Sequence, residues 1–224
     1  MTERKRADYA IIDFDSTFVT VESLDELARI SLADHPHREE KVRQITEITK
    51  LGMEGAISFT ESLRRRVALL GAHKRHLEIL SNFLLNNISK SVRENRERFV
   101  ANAERIYIVS GGFQEFIIPV VTKYSIPQSH IIANTFTFDE QDQIVDFDSD
   151  NLMSQKGGKS RVVKKLHLDG RVVVVGDGYT DYQVREDGAA HMFLVFTENV
   201  QRDSVIQRAD YSISSFTDFF ANYF

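Results

Sequence analysis

The sequence contains no cysteine. Disulfides, thiolate metal sites and cysteine nucleophiles are thereby excluded, and the chain suits a reducing compartment. Long apolar runs are missing as well. No stretch approaches the roughly 18 residues of a membrane span. The first segment, MTERKRADYAIIDFD, lacks the apolar centre of a secretory signal because Asp8, Asp13 and Asp15 interrupt it. A soluble, cytoplasmic protein is the expectation. Positive charge is not in excess either: the formal net charge is −5, which gives no electrostatic reason to expect nucleic acid or an anionic membrane as a partner. Internal repeats, low-complexity segments and linkers are absent. What is present is enough apolar material for a core, 42% of 224 residues, consistent with one large domain or one domain carrying a sizeable insertion.

Residues 9–14, YAIIDF, read as a buried parallel strand ending in acid. Helical spacing follows over 22–32, over 38–51 with Gly52 as its C-terminal cap, over 58–70 closed by Gly71, and over 74–87 and 92–101. Nothing strand-like lies between about 18 and 104. The pattern then changes. Residues 105–109 form a strand running into Ser110-Gly111-Gly112, and 114–123 a helix despite Pro119. Residues 131–138 and 143–147 make a strand pair around a polar turn, and 160–166 a helix. VVVV at 172–175 is the clearest buried strand, with weaker ones at 193–196 and 211–213. The reading is a doubly wound, mostly parallel α/β core, residues 1–18 and 104–224, interrupted after its first strand by an all-helical cap, residues 19–103. The insertion is too long for a connecting loop.

Asp13 and Asp15 stand one residue apart where the first strand ends, and ligands of open α/β sheets bind outside the carboxyl ends of the strands. Residues i and i+2 of an extended segment face the same side. Two acids so placed repel unless a cation lies between them or one is protonated. A hard cation such as magnesium fits oxygen ligands of this kind, and a carboxylate there can act as a nucleophile. The alternative is an acidic turn with a helix cap at Ser16 or Thr17. Gly176-Asp177-Gly178-Tyr179-Thr180-Asp181 repeats the arrangement after VVVV, with glycines that let backbone approach a ligand. Between the two lies Ser110-Gly111-Gly112, a hydroxyl with glycine amides just before a helix, which suits an anion. Lys159, opening a helix after Gly157-Gly158, can neutralise a phosphate. Gly-Gly-Lys-Ser is not a nucleotide-binding P-loop, since that pattern needs glycine where Met153 stands; Asp181 occupies the third glycine position of a dinucleotide fingerprint.

DFDST, SGG, a helix-opening lysine and GDGxTD, in this order, resemble the four signature motifs of haloacid dehalogenase-type phosphatases. The resemblance implies a magnesium-dependent phosphomonoesterase acting through an aspartyl-phosphate. It makes Asp13 the nucleophile and Asp15 the general acid and base, with Mg2+ held by Asp13, Asp15 (through its main-chain carbonyl) and Asp177. Ser110 and Lys159 would hold the phosphoryl oxygens, with Gly111 and Gly112 beside them, and Asp181 would support the metal site.

Within that superfamily, residues 9–220 resemble the phosphoserine phosphatases. Glu22 stands nine residues after Asp13 in VESLDELA, and Met53, Phe59 and Arg66 follow at spacings of six and seven. The resemblance gives Glu22 the substrate ammonium and Arg66 its carboxylate, with Met53 and Phe59 closing over it and Thr180 nearby. Taken singly, Met53 and Phe59 read more readily as cap core, Arg66 as part of a solvated run, and Glu22 as a helix-start acid; it is their joint spacing that favours the substrate roles. Thr197-Glu198 replaces a Gly-Gly pair common in that family, and Glu198 would add negative charge if it faced the site. Alternatives are the same chemistry on phosphohomoserine, phosphocholine or a nucleotide, or a receiver-like switch phosphorylated on aspartate. The seven histidines show no ligand spacing.

Overall fold

Residues 9–12 form β1 (Tyr9–Ile12), after which the chain leaves the sheet for a series of helices. In the computed structural model, which describes residues 6–53 and 56–224, these are α1 (Ser23–Ser31), α2 (Arg38–Met53), α3 (Phe59–Leu70), α4 (Lys74–Asn86), α5 (Lys90–Glu94) and α6 (Arg96–Ala101). The sheet resumes with β2 (Ile106–Phe113), followed by α7 (Gln114–Val121), β3 (Ile131–Asn134) and a hairpin of β4 (Phe136–Phe138) and β5 (Ile144–Phe147). Then come α8 (Gly158–Lys165), β6 (Val172–Gly176), α9 (Tyr179–Glu186), β7 (Met192–Phe196), α10 (Asp203–Ile206), β8 (Tyr211–Ile213) and α11 (Phe216–Asn222).

Six strands pair in the order β3-β2-β1-β6-β7-β8, each pair parallel. Alternation sends Ala10, Ile12, Ile106, Ile108, Val173 and Val175 to one face, and Ile11, Val109, Val172 and Val174 to the other. The second face packs Val162 and Val163 of α8 and Val184 of α9. Because both faces are covered, the strands read as unbroken apolar runs rather than as alternating ones. The chain builds outward from β1 through β2 to β3, then returns to the other side of β1 with β6. The switch point of the sheet is therefore the β1–β6 pair, whose carboxyl ends carry Asp13 and Asp177.

Helices α1 to α4 bury Leu24, Leu27, Ala28, Ile45, Leu63, Val67, Leu77 and Leu80 in an apolar layer continuous with the first face of the sheet. The two covalent links to this layer run side by side: Thr20 N–H donates to Asn87 O (2.8 Å) and Ser89 N–H to Phe18 O (3.0 Å). Helix α6 packs toward the sheet. The Phe99 ring lies 5.7 Å from Phe18 and 5.1 Å from both Phe216 and Phe220, so in packing it accompanies residues 104–224.

Several sequence expectations shift. Helix α2 runs through Gly52 to Met53, so Gly52 is not a cap. A Cβ there would lie 2.7 Å from Ser62 Oγ, and the glycine instead lets α2 approach α3. The segment 131–138 is two strands, because Thr135 separates β3 in the main sheet from β4 in the hairpin. Ser110-Gly111-Gly112 lies within β2 rather than after it. The helix expected to reach Lys123 stops at Val121, two residues past Pro119, and tightens into a 3₁₀ turn, Thr122–Tyr124. The helical stretch 92–101 is broken at Asn95. Helices α9, α10 and α11 lie where the sequence pattern predicts no helix. Gly71 does end α3, at φ +52°.

Candidate active site

Asp13 extends β1 by one bond, its N–H donating to Val175 O (2.9 Å). Asp13 (φ −73°, ψ 162°) and Asp15 (φ −65°, ψ 140°) are both extended, so their carboxylates share a side while Phe14 between them enters the core. Ser16 then adopts a left-handed conformation, φ +52°, which costs a non-glycine residue on the order of 1 kcal/mol. Its surroundings hold it there: Ser16 N–H donates to Val21 O (3.1 Å) and its Oγ to Glu22 Oε1 (2.7 Å). The helix-cap reading fails for both Ser16 and Thr17, since α1 begins only at Ser23. Ser23 fixes Asp15 instead, donating its N–H to Asp15 Oδ1 (3.0 Å) and its hydroxyl to the same oxygen. Burial and the neighbouring Glu22 carboxylate push the Asp15 carboxyl up to about 8, against those Ser23 bonds. So raised, the carboxyl holds a proton more readily than an ordinary aspartate does.

Carboxylate oxygens of Asp13, Asp177 and Asp181, all buried, lie within 4.8 Å of one another. Lys159, in the first turn of α8, donates to Asp13 Oδ1 (2.9 Å) and Asp181 Oδ1 (2.7 Å). Burial alone would lower the lysine pKa; the two carboxylates override it and raise the ammonium above its ordinary value. Burial and Asp13 push Asp181 up to about 7, with Lys159 opposing. Lys159 and Arg202, which contacts Asp177, are two cations against three buried acids. An all-oxygen, anionic donor set of this kind fits a hard divalent cation such as magnesium. Thr17 Oγ1 lies 3.4 Å from Asp177 Oδ1. Arg202 bridges Asp177, which it contacts, and Glu22, whose Oε1 is 3.4 Å from its Nη2.

On the β2 side, a register shift between Val109 and Phe113 takes residues 110–112 out of the ladder. Ser110 Oγ accepts from Gly112 N–H (3.0 Å), and Asn134 Nδ2–H anchors the loop from behind through Gly111 O (2.8 Å). Asp13, Asp15, Glu22, Met53, Phe59, Arg66, Ser110, Gly111, Gly112, Lys159 and Thr180 line a single cavity, with Asp177 and Asp181 at its base beside Asp13. Arg64 and Arg65 are exposed and pair with Glu61, whereas Arg66 is 5% exposed. Burial lowers its pKa and pushes Glu22's up; Asp25, Glu22 and Asp15 counter the first, and Ser16 and Arg202 the second. Glu198 faces away from the cavity: its carboxylate accepts from Ser91 N–H (3.1 Å) and the Ser91 hydroxyl at the start of α5. His73 and His76 cap the start of α4.

Sequence reasoning assigned no role to Ser23, Asn134, Arg202 or Asn199. Asn199 Nδ2–H donates to Ser16 O (3.1 Å) and Ser89 Oγ (2.7 Å), clasping the turn after Asp15 to the second cap link. Phe59 closes directly over Gly111, where a Cβ would sit 2.7 Å from the ring. Gly111→Ala is therefore expected to lift Phe59 and reduce kcat/KM on the order of tenfold, chiefly through KM. Steady-state kinetics check this, and an unchanged KM would show that closure over Gly111 is dispensable.

The family model for haloacid dehalogenase-like hydrolases matches residues 10–186. A chloroplastic phosphoserine phosphatase of Arabidopsis thaliana is 30% identical over 207 residues, 91% of this chain and 68% of its own length. The phosphoserine phosphatase of Bos taurus is 29% identical over 216 residues, 95% and 91% of the two chains. The crystal structure of a phosphoserine phosphohydrolase-like protein from Francisella tularensis subsp. tularensis SCHU S4 superposes with a TM-score of 0.84 at 31% identity, covering 96% of this chain and 98% of that one. Among the described residues, no helix is long and apolar enough to cross a membrane.

Proposed function

The chain belongs to the haloacid dehalogenase-like hydrolases and is a phosphoric monoester hydrolase, and on that premise we propose that it hydrolyses O-phospho-L-serine through an aspartyl-phosphate on Asp13. The observation that carries this reading is that Glu22 and Arg66 line the same cavity as Asp13 and Asp15. A free amino-acid phosphate presents three charged groups. The cavity offers an acid for the ammonium, a fork-shaped cation for the carboxylate and a lysine for the phosphoryl group.

In this mechanism an Asp13 oxygen attacks phosphorus in line with the seryl oxygen. The P–O(seryl) bond breaks, and Asp15 gives its proton to the leaving oxygen. Lys159 and the Ser110–Gly112 loop hold the phosphoryl oxygens as charge redistributes. Asp15, now ionised, takes a proton from a water that attacks the same phosphorus, and the Asp13–phosphorus bond breaks to release phosphate. Magnesium, held by Asp13, Asp177 and the Asp15 carbonyl, would supply positive charge beyond that of Lys159 and Arg202. Phe59 and Met53 exclude bulk water from the closed cavity, and the helices α1 to α4 open to admit substrate.

The test is phosphate release with magnesium from L-phosphoserine, D-phosphoserine, phosphothreonine, phosphocholine and p-nitrophenyl phosphate. L-Phosphoserine is expected to lead the panel by about 100-fold or more in kcat/KM. Chelation with EDTA is expected to abolish turnover and added magnesium to restore it. Turnover of the aryl phosphate alone would remove the substrate assignment and leave the phosphatase.

A further inference from the structure

Arg66 is the only one of its three-arginine run to be buried, yet its own hydrogen bonds are long. Nε donates to Ser62 O at 3.4 Å, and Nη1 to Thr49 Oγ1 at 3.5 Å. Thr49, 5% exposed on α2, has one hydroxyl proton. It donates at 2.6 Å to Asp25 Oδ1, with Ile45 O further away at 3.1 Å, so its lone pairs are free to receive Arg66. Asp25, on α1, is 6% exposed. Among the opposing charges that act on Arg66, Asp25 is the largest, ahead of Glu22 and Asp15. The three side chains come from three different helices, so the contact depends on how the cap is packed.

We propose that Asp25 and Thr49 form a relay that positions the Arg66 guanidinium for a substrate carboxylate, which makes Thr49 a specificity-determining positioning residue. The inference rests on the reading of Arg66 as the carboxylate site. The reason for an interposed hydroxyl is geometric. A direct aspartate–arginine pair is bidentate and consumes the fork that a ligand carboxylate needs. With Thr49 between them, Asp25 supplies negative charge from behind while only Nε–H and one Nη1–H are engaged, which leaves Nη2 for a ligand carboxylate. Placement agrees: Thr49 and Arg66 line the catalytic cavity, whereas Asp25 lines only an outer cleft that shares Thr49 and Glu22 with it. A clasp that merely held α1 to α2 would have no need of the guanidinium contact.

The experiment compares Thr49→Val with the parent protein, both loaded with magnesium, on O-phospho-L-serine and on phosphoethanolamine, which keeps the ammonium and phosphate but lacks the carboxylate. On phosphoserine, kcat/KM is expected to fall about tenfold through KM, and on phosphoethanolamine by at least about fivefold less. Thr49→Ser should recover the phosphoserine KM. In an Arg66→Ala background Thr49→Val should cost less than about twofold on phosphoserine, because the relay then has nothing to position. Equal losses on the two substrates, or full additivity with Arg66→Ala, would overturn the relay and leave Thr49 as packing. If Arg66→Ala itself fails to distinguish the two substrates, the carboxylate site is lost and the relay with it. If Arg66→Ala distinguishes them and Thr49→Val does not, the relay alone falls.

Discussion

Asp13→Asn is expected to lower turnover by about 10⁴-fold or more while leaving the protein folded. Asparagine keeps the shape and an oxygen that can accept from Lys159, which lies 2.9 Å from Asp13 Oδ1. It has no anionic oxygen to attack phosphorus, and an amide cannot form the acyl phosphate. Stability should not fall. Asp13 is one of the charges that raises the carboxyl pKa of Asp15 and of Asp181. Removing it relieves like-charge crowding at the base of the cavity, so the melting temperature without metal is expected to hold or rise. Three measurements check this: phosphate release, acid-quench capture of a phosphorylated protein during turnover, and thermal unfolding. The parent protein should trap label and the variant none. A variant that retained a hundredth of the parent rate would place the nucleophile elsewhere. Asp15 separates a hydrolase from a phosphorylated switch: Asp15→Asn should slow formation of the covalent species from phosphoserine, for want of a proton donor, and its hydrolysis, for want of a base, whereas a switch would lose neither.

Acidic strand ends were legible because two local signals coincide there. An apolar run of strand length, such as VVVV, specifies a buried strand, and the acid directly after it must sit at the carboxyl edge. That places Asp13 and Asp177 without knowledge of the pairing, and the β1–β6 register brings them together. Residues that act through distant partners left no such trace. Asn199 holds the Ser16 carbonyl across 183 positions of chain, and Asn134 holds Gly111 across 23. A polar residue in a loop or at a strand end has the same local appearance whether or not its amide reaches an active-site turn. Gly52 misled for the opposite reason. Glycine near a helix end reads as a cap, and only the approach of Ser62 reveals that the missing side chain serves packing. Glu198 needed tertiary structure as well, since nothing local states that Ser91 will donate to its carboxylate.

Arg66→Ala is expected to cost about 10² to 10³ in kcat/KM on phosphoserine, with most of the loss in KM. Turnover of p-nitrophenyl phosphate should change by no more than a few fold. The asymmetry follows from position. Arg66 sits across the cavity wall from the Asp13–Lys159 pair and makes no hydrogen bond to Asp13, Asp15 or Lys159. An aryl phosphate offers it nothing to hold. Stability should fall with specificity, because alanine removes the buried cation that opposes Asp25 and Glu22, leaving Glu22 with Arg202 alone, and uncompensated buried charge is costly. Arg66→Lys separates charge from shape. Lysine restores the countercharge and much of the stability, but a point ammonium cannot reproduce the planar fork, so its phosphoserine KM should stay between those of the parent and the alanine variant. Steady-state kinetics on both substrates, with thermal unfolding of all three proteins, decide the matter. Equal losses on phosphoserine and the aryl phosphate would mean that Arg66 supports the cavity wall rather than the substrate, and the amino-acid specificity would then have to come from Glu22 and Arg202.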